Sequence, residues 1–327
     1  DVTTAQTNGE KAINAVEIPT SSKTKNDANS DLDNTADAAK KAIDKTSGLT
    51  ADQKQTAKDQ IDQAVTDAKG NIKNASDNQG VANATDAGKL AIDKVSANAA
   101  IDGAAKTKAN AIDNTNGLTD SEKQAAKSQV ATDANAAKEA IDNADSNDAV
   151  TTAVNNGTVA INKDAANAAI DGALAEKNNS IDTAPNLTDE EKQSVKDQAN
   201  KAADNAKSAI KTAQDNDAVK KAQTDGVNNI NGITVPADSG VKKNAKDAID
   251  KAAKTKDDAI DASNLTAEEK DTLKQKVAGE VKTAKDNIDA ATKDADVKTA
   301  QTNGEKAIKA VEIPTSSKTK NDANSDL

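Results

Sequence analysis

The stretch Leu187-Thr188-Asp189-Glu190-Glu191-Lys192, with the helical pattern that follows it to about Ala213, decides the organisation of the chain. Thr188 and Glu191 have the spacing of a capping box, in which the threonine hydroxyl accepts from the amide three residues on and the glutamate accepts from the threonine amide. Related stretches begin at Leu49, Leu118 and Leu265. We therefore predict four reciprocally capped helix starts, at the pairs Thr50 and Gln53, Thr119 and Glu122, Thr188 and Glu191, and Thr266 and Glu269.

The segment after each cap has the apolar periodicity of a helix and shows no alternation of strand type. After Thr50 the apolar residues recur three or four positions apart, which places them on one face of a helix. They are Ala57, Ile61, Val65, Ala68, Ile72 and Ala75. A shorter apolar pattern precedes each cap and another follows this segment, so each unit is predicted to contain three helices, which we name helix A, helix B (after the cap) and helix C.

Helix C carries the pattern V-x-x-A-x-x-x-G-x-x-x-I, which occurs five times. Its glycines are Gly9, Gly88, Gly157, Gly226 and Gly304. A glycine within a helix costs about 1 kcal/mol relative to alanine, so it needs a reason: a hinge or ligand contact, or a helix B too close to admit a Cβ. We favour close packing, because the glycine lies on the apolar stripe. The predicted N-caps of helix C are Asn78, Asn147, Asn216 and Asp294.

The repetition predicts an all-α fold, a tandem array of short three-helix bundles that form an elongated rod, with some bundles joined by continuous helices. Residues 1–32 recur as residues 296–327 with two differences. The predicted boundaries are an orphan third helix at 1–18, a Pro-containing linker at 19–31, repeats 1 to 4 at 32–100, 101–169, 170–233 and 249–313, a second linker at 234–248, and a linker with the start of a truncated repeat at 314–327.

Two kinds of joint are predicted between repeats. Ile101 lies nine positions after Ile92 with no proline between them, and the same spacing recurs before repeat 3. Helix C is therefore expected to run into the next helix A, with its apolar stripe turned by about 180°. A kink at Gly103 or Gly172 is the alternative to an unbroken helix. The longer joints carry Pro19, Pro236 and Pro314, which stop a helix and are the predicted hinges.

The composition excludes several classes of function. The chain of 327 residues has no Cys, Met, His, Trp, Tyr, Phe or Arg, and its net charge is −11. An imidazole base, a thiolate nucleophile, a conventional zinc site and an aromatic stacking platform are therefore excluded, and an acidic chain disfavours nucleic acid as a partner. Leu, Ile and Val number only 47 of 327, so each core is expected to be thin. No membrane span or signal peptide is recognised, and we expect an internal fragment.

The acidic residues predict neither a metal site nor catalysis. The clusters 145–148, 215–217 and 294–296 do not continue into the twelve-residue loop of a calcium-binding EF-hand. Aspartates also follow many of the apolar isoleucines, at Asp44, Asp113, Asp142, Asp182 and Asp289. Without a pocket or an apolar wall these are interpreted as solvated helix surface. We predict no enzyme, no catalytic residue, no cofactor and no metal.

The chain resembles the α-helical domain-of-unknown-function repeats of giant, cell-wall-anchored surface proteins of Gram-positive bacteria, of the extracellular-matrix-binding protein homologue type. The resemblance covers essentially the whole chain and is carried by five spaced motifs, which in repeat 4 are Lys243 to Asp250, Lys256 to Asp261, Asn264 to Lys270, Ala284 to Ala290 and Val297 to Ile308. It implies an extracellular location, cell-wall anchoring outside this fragment, and no catalytic residues.

Two functions from different classes follow from these expectations. In the preferred one the array is a monomeric stalk that holds a distal binding region away from the cell wall. In the alternative the repeats themselves adhere, weakly and multivalently, to host extracellular matrix, mucin or neighbouring cells. The stalk is preferred because a polar surface without aromatic residues lacks the usual hot spots of binding. Neither function requires insertion into a membrane.

The first testable prediction concerns shape. A helix B of about 26 residues spans about 39 Å, and four such units placed end to end extend over about 150–160 Å. Small-angle X-ray scattering should therefore return the profile of a rod. A radius of gyration of about 20 Å, the value for a globular chain of this length, would contradict the tandem arrangement.

Overall fold

The computed structural model describes residues 1–16 and 22–325, and these residues form α-helices and no strand. The helices are α1 (Val2–Asn14), α2 (Lys23–Lys45), α3 (Ala51–Asn74), α4 (Asn78–Asp113), α5 (Asp120–Asp142), α6 (Asn147–Asp182), α7 (Asp189–Thr212), α8 (Asn216–Asn231), α9 (Gly240–Asp261), α10 (Ala267–Ala290), α11 (Asp294–Ala310) and α12 (Lys318–Ser325). The predicted all-α array of helical bundles is confirmed. Helix B of each repeat is α3, α5, α7 or α10.

By its contacts the chain divides into two compact units. The first comprises Asp1–Ala169 with Ser208–Gln223, and the second comprises Ile170–Lys207 with Thr224–Leu327. The first unit contains two apolar cores, one of repeat 1 and one of repeat 2. The second unit contains the core of repeat 4, formed by α9, α10 and α11. Each core is built from alanine, isoleucine, valine and leucine on the helix faces that the periodicity marked.

Helix α4 serves both cores of the first unit. Val81 and Ile92, in its first half, pack with α2 and α3, whereas Ile101 and Ile112, in its second half, pack in the core that contains α5. The helix is unbroken over 36 residues, about 54 Å. The continuous joint predicted between repeats 1 and 2 is therefore confirmed, and α6 has the same length. Gly103 lies inside α4, where it admits the neighbouring α2–α3 loop: an added Cβ would meet the side chain of Thr46 and the carbonyl of Ser47.

One layer of each bundle brings a glycine of helix C against an alanine of helix B. A Cβ added to Gly88, Gly157, Gly226 or Gly304 would lie less than 3.0 Å from the Cβ of Ala68, Ala137, Ala206 or Ala284 respectively. The third member of the layer comes from helix A and is Leu32, Ile101, Ile170 or Ile249. The backbone of helix C can approach this closely only because the residue has no side chain.

The close-packing interpretation does not hold for Gly9. An added Cβ there would meet nothing within 4 Å, and none of the residues of α1 is buried. Val2 is 83% exposed and Ile13 is 73% exposed. The nearly identical sequence of α11 buries Val297 and Ile308 against α9 and α10, so the difference in burial comes from the neighbouring helices.

The predicted linkers are shorter than expected, because three helices begin inside them. Residues 23–31, 240–248 and 318–325 are helical and not linker. Pro19 lies outside the described residues, while Pro236 and Pro314 lie in the loops before α9 and α12. The correction has a local cause: Ser22, Ser239 and Ser317 cap these helices by accepting from the amide three residues on, whereas the prediction placed each start at the first apolar residue.

The predicted N-caps of helix C are also wrong by one residue. Asp77 caps α4, with its carboxylate accepting from the Gly80 amide at 2.7 Å. Ser146 and Asp215 accept in the same way at the starts of α6 and α8, and at α11 the N-cap is Lys293, which makes no side-chain cap. The asparagines and Asp294 are the first helical residues instead.

The glycine layer predicts opposite effects for two substitutions in the same repeat. Gly304→Ala should lower the free energy of unfolding by about 1–3 kcal/mol, because its Cβ overpacks against Ala284. Gly279→Ala is the matched control: it lies within α10 and its Cβ meets nothing within 4 Å, so it should stabilise by about 0.5–1 kcal/mol. Thermal unfolding of the two variants checks the signs, and two shifts in the same direction would contradict close packing.

Candidate functional site

The ends of the helices carry the most regular polar chemistry of the chain. At α3 the amide of Thr50 donates to Gln53 Oε1 at 2.9 Å, and the amide of Gln53 donates to Thr50 Oγ1 at 3.2 Å. The same reciprocal pair is present at Thr119 and Glu122, at Thr188 and Glu191, and at Thr266 and Glu269. Each predicted cap residue therefore lies at the start of a helix B, where it satisfies two amides that lack a partner within the helix.

A lysine directly after each capping box closes the end of helix A. Lys54, Lys123, Lys192 and Lys270 donate to the carbonyls of Asp44, Asp113, Asp182 and Asp261 at 2.7 to 2.9 Å. The last carbonyls of a helix lack internal donors and carry the negative end of its dipole, so an ammonium group is the favoured partner.

A second lysine donates hydrogen bonds to the carbonyls at the end of helix B. It lies seven residues before the first apolar residue of each helix A. Lys25 donates to the carbonyls of Lys73 and Ala75, and Lys242 donates to that of Asp289. In repeats 2 and 3 the same contact runs from Lys94 to Asp142 and from Lys163 to Lys211. Lys242 is 7% exposed, so this ammonium is largely removed from water and depends on its carbonyl.

The aspartates that follow isoleucines are paired with lysines of the neighbouring helix. Asp44, Asp113, Asp182 and Asp289 pair with Lys58, Lys127, Lys196 and Lys246, and Asp142 accepts from the side-chain amide of Asn98 at 2.9 Å. The side chains of the paired aspartates are about half exposed. Such pairs contribute little each, and they orient helix against helix.

The proline joints are crossed by hydrogen bonds between consecutive repeats. Glu191 Oε1 accepts from the Val241 amide at 3.2 Å, and Glu190 Oε2 accepts from the Asp294 amide at 3.0 Å. The Asp189 amide donates to the carbonyl of Thr292 at 2.8 Å. The start of α7 in repeat 3 therefore contacts the start of α9 and the α10–α11 loop of repeat 4. A hinge role for Pro236 and Pro314 stays a prediction.

The pKa values of the capping glutamates are lowered by the hydrogen bonds that each carboxylate accepts. Hydrogen bonds from Thr119 lower the pKa of Glu122. Hydrogen bonds from Thr266, Ser317 and Thr319 lower the pKa of Glu269 to about 2. For Glu191, partial burial raises the pKa, but hydrogen bonds from Ser239, Thr188 and Val241 outweigh it and the net shift is downward. The carboxylates at the proline joints are thus held by donors from two repeats.

A different carboxyl group, that of Asp164 on α6, has a pKa far above the usual value of an aspartate. Burial and the adjacent Asp133 of α5 raise the pKa of Asp164 to about 7, and its Oδ2 atom is buried without a hydrogen-bond partner. The equivalent positions of repeat 1 are Ala64 and Val95, both packed against the apolar core. The pair is therefore specific to repeat 2 and does not recur with the array.

The acidic clusters cap or join helices. Ser146 and Asp215 are caps, and the amide of Asp294 contacts Glu190. Within residues 1–16 and 22–325, no group of three or more acidic side chains converges as a metal site would require. Among the helices of the same ranges, none is both long and apolar enough to cross a membrane.

The family model of a domain of unknown function, DUF1542, matches the chain four times, at residues 24–98, 93–164, 162–238 and 241–316. These matches cover most of the sequence. The chain belongs to the DUF1542 family. The four DUF1542 matches correspond in number to the four capping boxes.

The relatives of this DUF1542 chain include very long proteins. Extracellular matrix-binding protein EbhA of Staphylococcus aureus strain Newman is 29% identical over 277 residues, which are 84% of this chain and 6% of that protein. Extracellular matrix-binding protein ebh of strain JH9 is 28% identical over 277 residues, which are 84% of this chain and 2% of that protein. The chain thus spans only a few per cent of the length of the curated relatives it matches.

A solved structure is also similar in sequence. It is a crystal structure of an EbhA domain from Staphylococcus aureus, 21% identical, with 84% of this chain and 99% of that chain covered and a TM-score of 0.22.

The sequence reasoning missed the lysines that close the helix ends. Their signal was available, because Lys54, Lys123, Lys192 and Lys270 stand at the same offset from all four capping boxes. A residue type that recurs beside a helix start, and not on the apolar stripe, indicates a partner at the end of a neighbouring helix.

The buried lysine predicts a loss of stability that its neighbour does not share. Lys242→Met keeps much of the side-chain volume but removes the donor to the Asp289 carbonyl, so repeat 4 should lose about 1–2 kcal/mol. Lys243→Met is the matched control, because Lys243 is exposed and pairs with Asp247 one turn away on the same helix. Hydrogen exchange of α9 and α10 in the full chain measures both variants. Equal effects would show that the carbonyl contact contributes nothing.

Proposed function

We propose that the chain is a spacer segment of a bacterial cell-surface protein, which projects a distal binding region from the cell wall. In this proposal the segment is extracellular and monomeric, has no enzymatic activity, and is anchored to the wall by other parts of the parent protein. The observation that carries it is that the polar residues recurring in every repeat are those that join helix ends. The capping threonines and the two sets of lysines contact the chain's own backbone.

The arrangement of the joints supports the same proposal. A spacer must transmit force from one repeat to the next, and each repeat boundary of the second unit is crossed by backbone or side-chain hydrogen bonds. In the first unit the boundary lies within the continuous helix α4. Stability that depends on neighbours in this way is the usual behaviour of repeat arrays.

A second function is favoured by one specific observation. The relatives carry the name extracellular matrix-binding protein, so the repeats of this chain could themselves bind matrix, mucin or neighbouring cells. Such binding would be weak for one repeat and would increase with the number of repeats, because linked sites raise the effective concentration.

The two functions are separated by a binding experiment on surfaces coated with extracellular matrix or mucin. For a spacer, the chain should bind no more than a control of the same composition with its sequence scrambled. Binding that exceeds this control and rises steeply when the four repeats are duplicated would favour adhesion instead. Placing the same two lengths between a wall anchor and a reporter domain completes the test, because the reach of the reporter should grow with repeat number.

A further inference from the structure

The two glutamates at proline joints use both carboxylate oxygens, whereas the corresponding residues at continuous joints use one. Glu191 Oε2 accepts from the amide of Thr188 in its own helix, and Glu191 Oε1 accepts from the amide of Val241 in the next repeat. The hydroxyl of Ser239, which caps α9, also donates to Glu191. One carboxylate thus caps two helices that belong to different repeats.

The next proline joint repeats this arrangement with different residues. Glu269 Oε2 accepts from the Thr266 amide at 2.9 Å, and its Oε1 accepts from both the amide and the hydroxyl of Thr319 at 3.2 Å. Ser317, the cap of α12, donates to the same carboxylate. A second, independent instance makes an accidental contact at Glu191 a poor explanation.

The repeats that precede continuous joints have different residues at these positions. Repeats 3 and 4 carry Glu-Glu before the lysine, at 190–191 and 268–269, whereas repeat 1 carries Asp-Gln at 52–53 and repeat 2 carries Ser-Glu at 121–122. Gln53 has a single acceptor oxygen, which its own capping box occupies. The hydrogen bonds that lower the pKa of Glu122 come only from Thr119. The choice of residues therefore follows the kind of joint.

We propose that the end face formed by Thr188, Glu190 and Glu191 is a docking surface for the Ser-capped first helix of a following repeat, and that Glu191 is the latch of the proline joint. Its partner is a helix start of the pattern Pro-x-x-Ser, as at Pro236 and Pro314, in which the amide two residues after the serine donates to the glutamate. The proline interrupts the backbone helix and supplies the pivot. The carboxylate of Glu191 holds the first helix of the next repeat against the start of α7, whether the array acts as a spacer or as an adhesive surface.

The test replaces Glu191 by glutamine, which has one acceptor oxygen where the carboxylate has two. Gln53 shows that a glutamine side chain completes a capping box in this family, so Glu191→Gln should retain the cap of α7 and lose the acceptor for Val241 and Ser239. Glu122→Gln is the matched control, because it makes the same change in a repeat that precedes a continuous helix.

Paired spin labels measure the distribution of distances across a joint. Because the chain has no cysteine, labels can be attached to single introduced cysteines at chosen positions. Labels at the exposed positions Ser194 on α7 and Gln275 on α10 report on the proline joint, and labels at Gln124 on α5 and Ser194 on α7 report on the continuous joint that follows repeat 2, the repeat of Glu122. Glu191→Gln should widen the first distance distribution at least about twofold, and Glu122→Gln should leave the second unchanged. An unchanged first distribution, or equal widening by both variants, would overturn the proposal.

Hydrogen exchange gives a second readout that does not depend on the labels. In Glu191→Gln the amide of Val241 should exchange about tenfold faster, because a hydrogen bond to a charged group is lost, while the amide of Thr188 should keep its protection. Faster exchange at both amides would mean that the cap of α7 has failed. Protection at Val241 equal to that of the unsubstituted chain would show that Glu191 is not the latch.

Discussion

The layer in which a glycine of helix C meets an alanine of helix B sets the spacing on which the rest of each bundle depends. With Gly88 against Ala68, the two helices approach so closely that a second Cβ, on residue 88, does not fit beside that of Ala68. This closeness lets a core without aromatic residues be filled by isoleucine, leucine, valine and alanine. It also explains why glycine stands inside four helices despite its conformational cost of about 1 kcal/mol.

A thin core makes the helix ends important. Each bundle buries few large side chains, so unsatisfied amides and carbonyls at the helix termini would cost a large share of its marginal stability. These groups are satisfied by side chains. A threonine and a glutamate or glutamine bond the amides at the start of helix B, and lysines bond the carbonyls at the ends of helices A and B. Lysine suits this task because its long stem packs along apolar surface while its ammonium reaches a carbonyl.

The helices and the capping boxes could be predicted because their signals lie within a few residues of one another in the sequence. The contacts between repeats could not be predicted in this way. The cap of Thr188 by Glu191 spans three residues, but the same glutamate reaches Val241, fifty residues on. Burial also depends on neighbours: Ile13 is 73% exposed and Ile308 is 1% exposed within nearly identical sequences. The early starts of α2 and α9 were missed because apolar periodicity begins after their capping serines, although the serines themselves were visible.

The two kinds of joint connect consecutive repeats through different interactions. At α4 the connection is a covalent helix, and Ile92 and Ile101 point into successive cores because nine residues turn the stripe by about half a revolution. At Pro236 the helix is interrupted, and side-chain hydrogen bonds replace the backbone ladder. A helix fails by cooperative unfolding of a whole turn, whereas a side-chain latch opens one hydrogen bond at a time. If Pro236 is the hinge that we predict, a repeat turns at the proline joint while the two neighbouring cores stay buried.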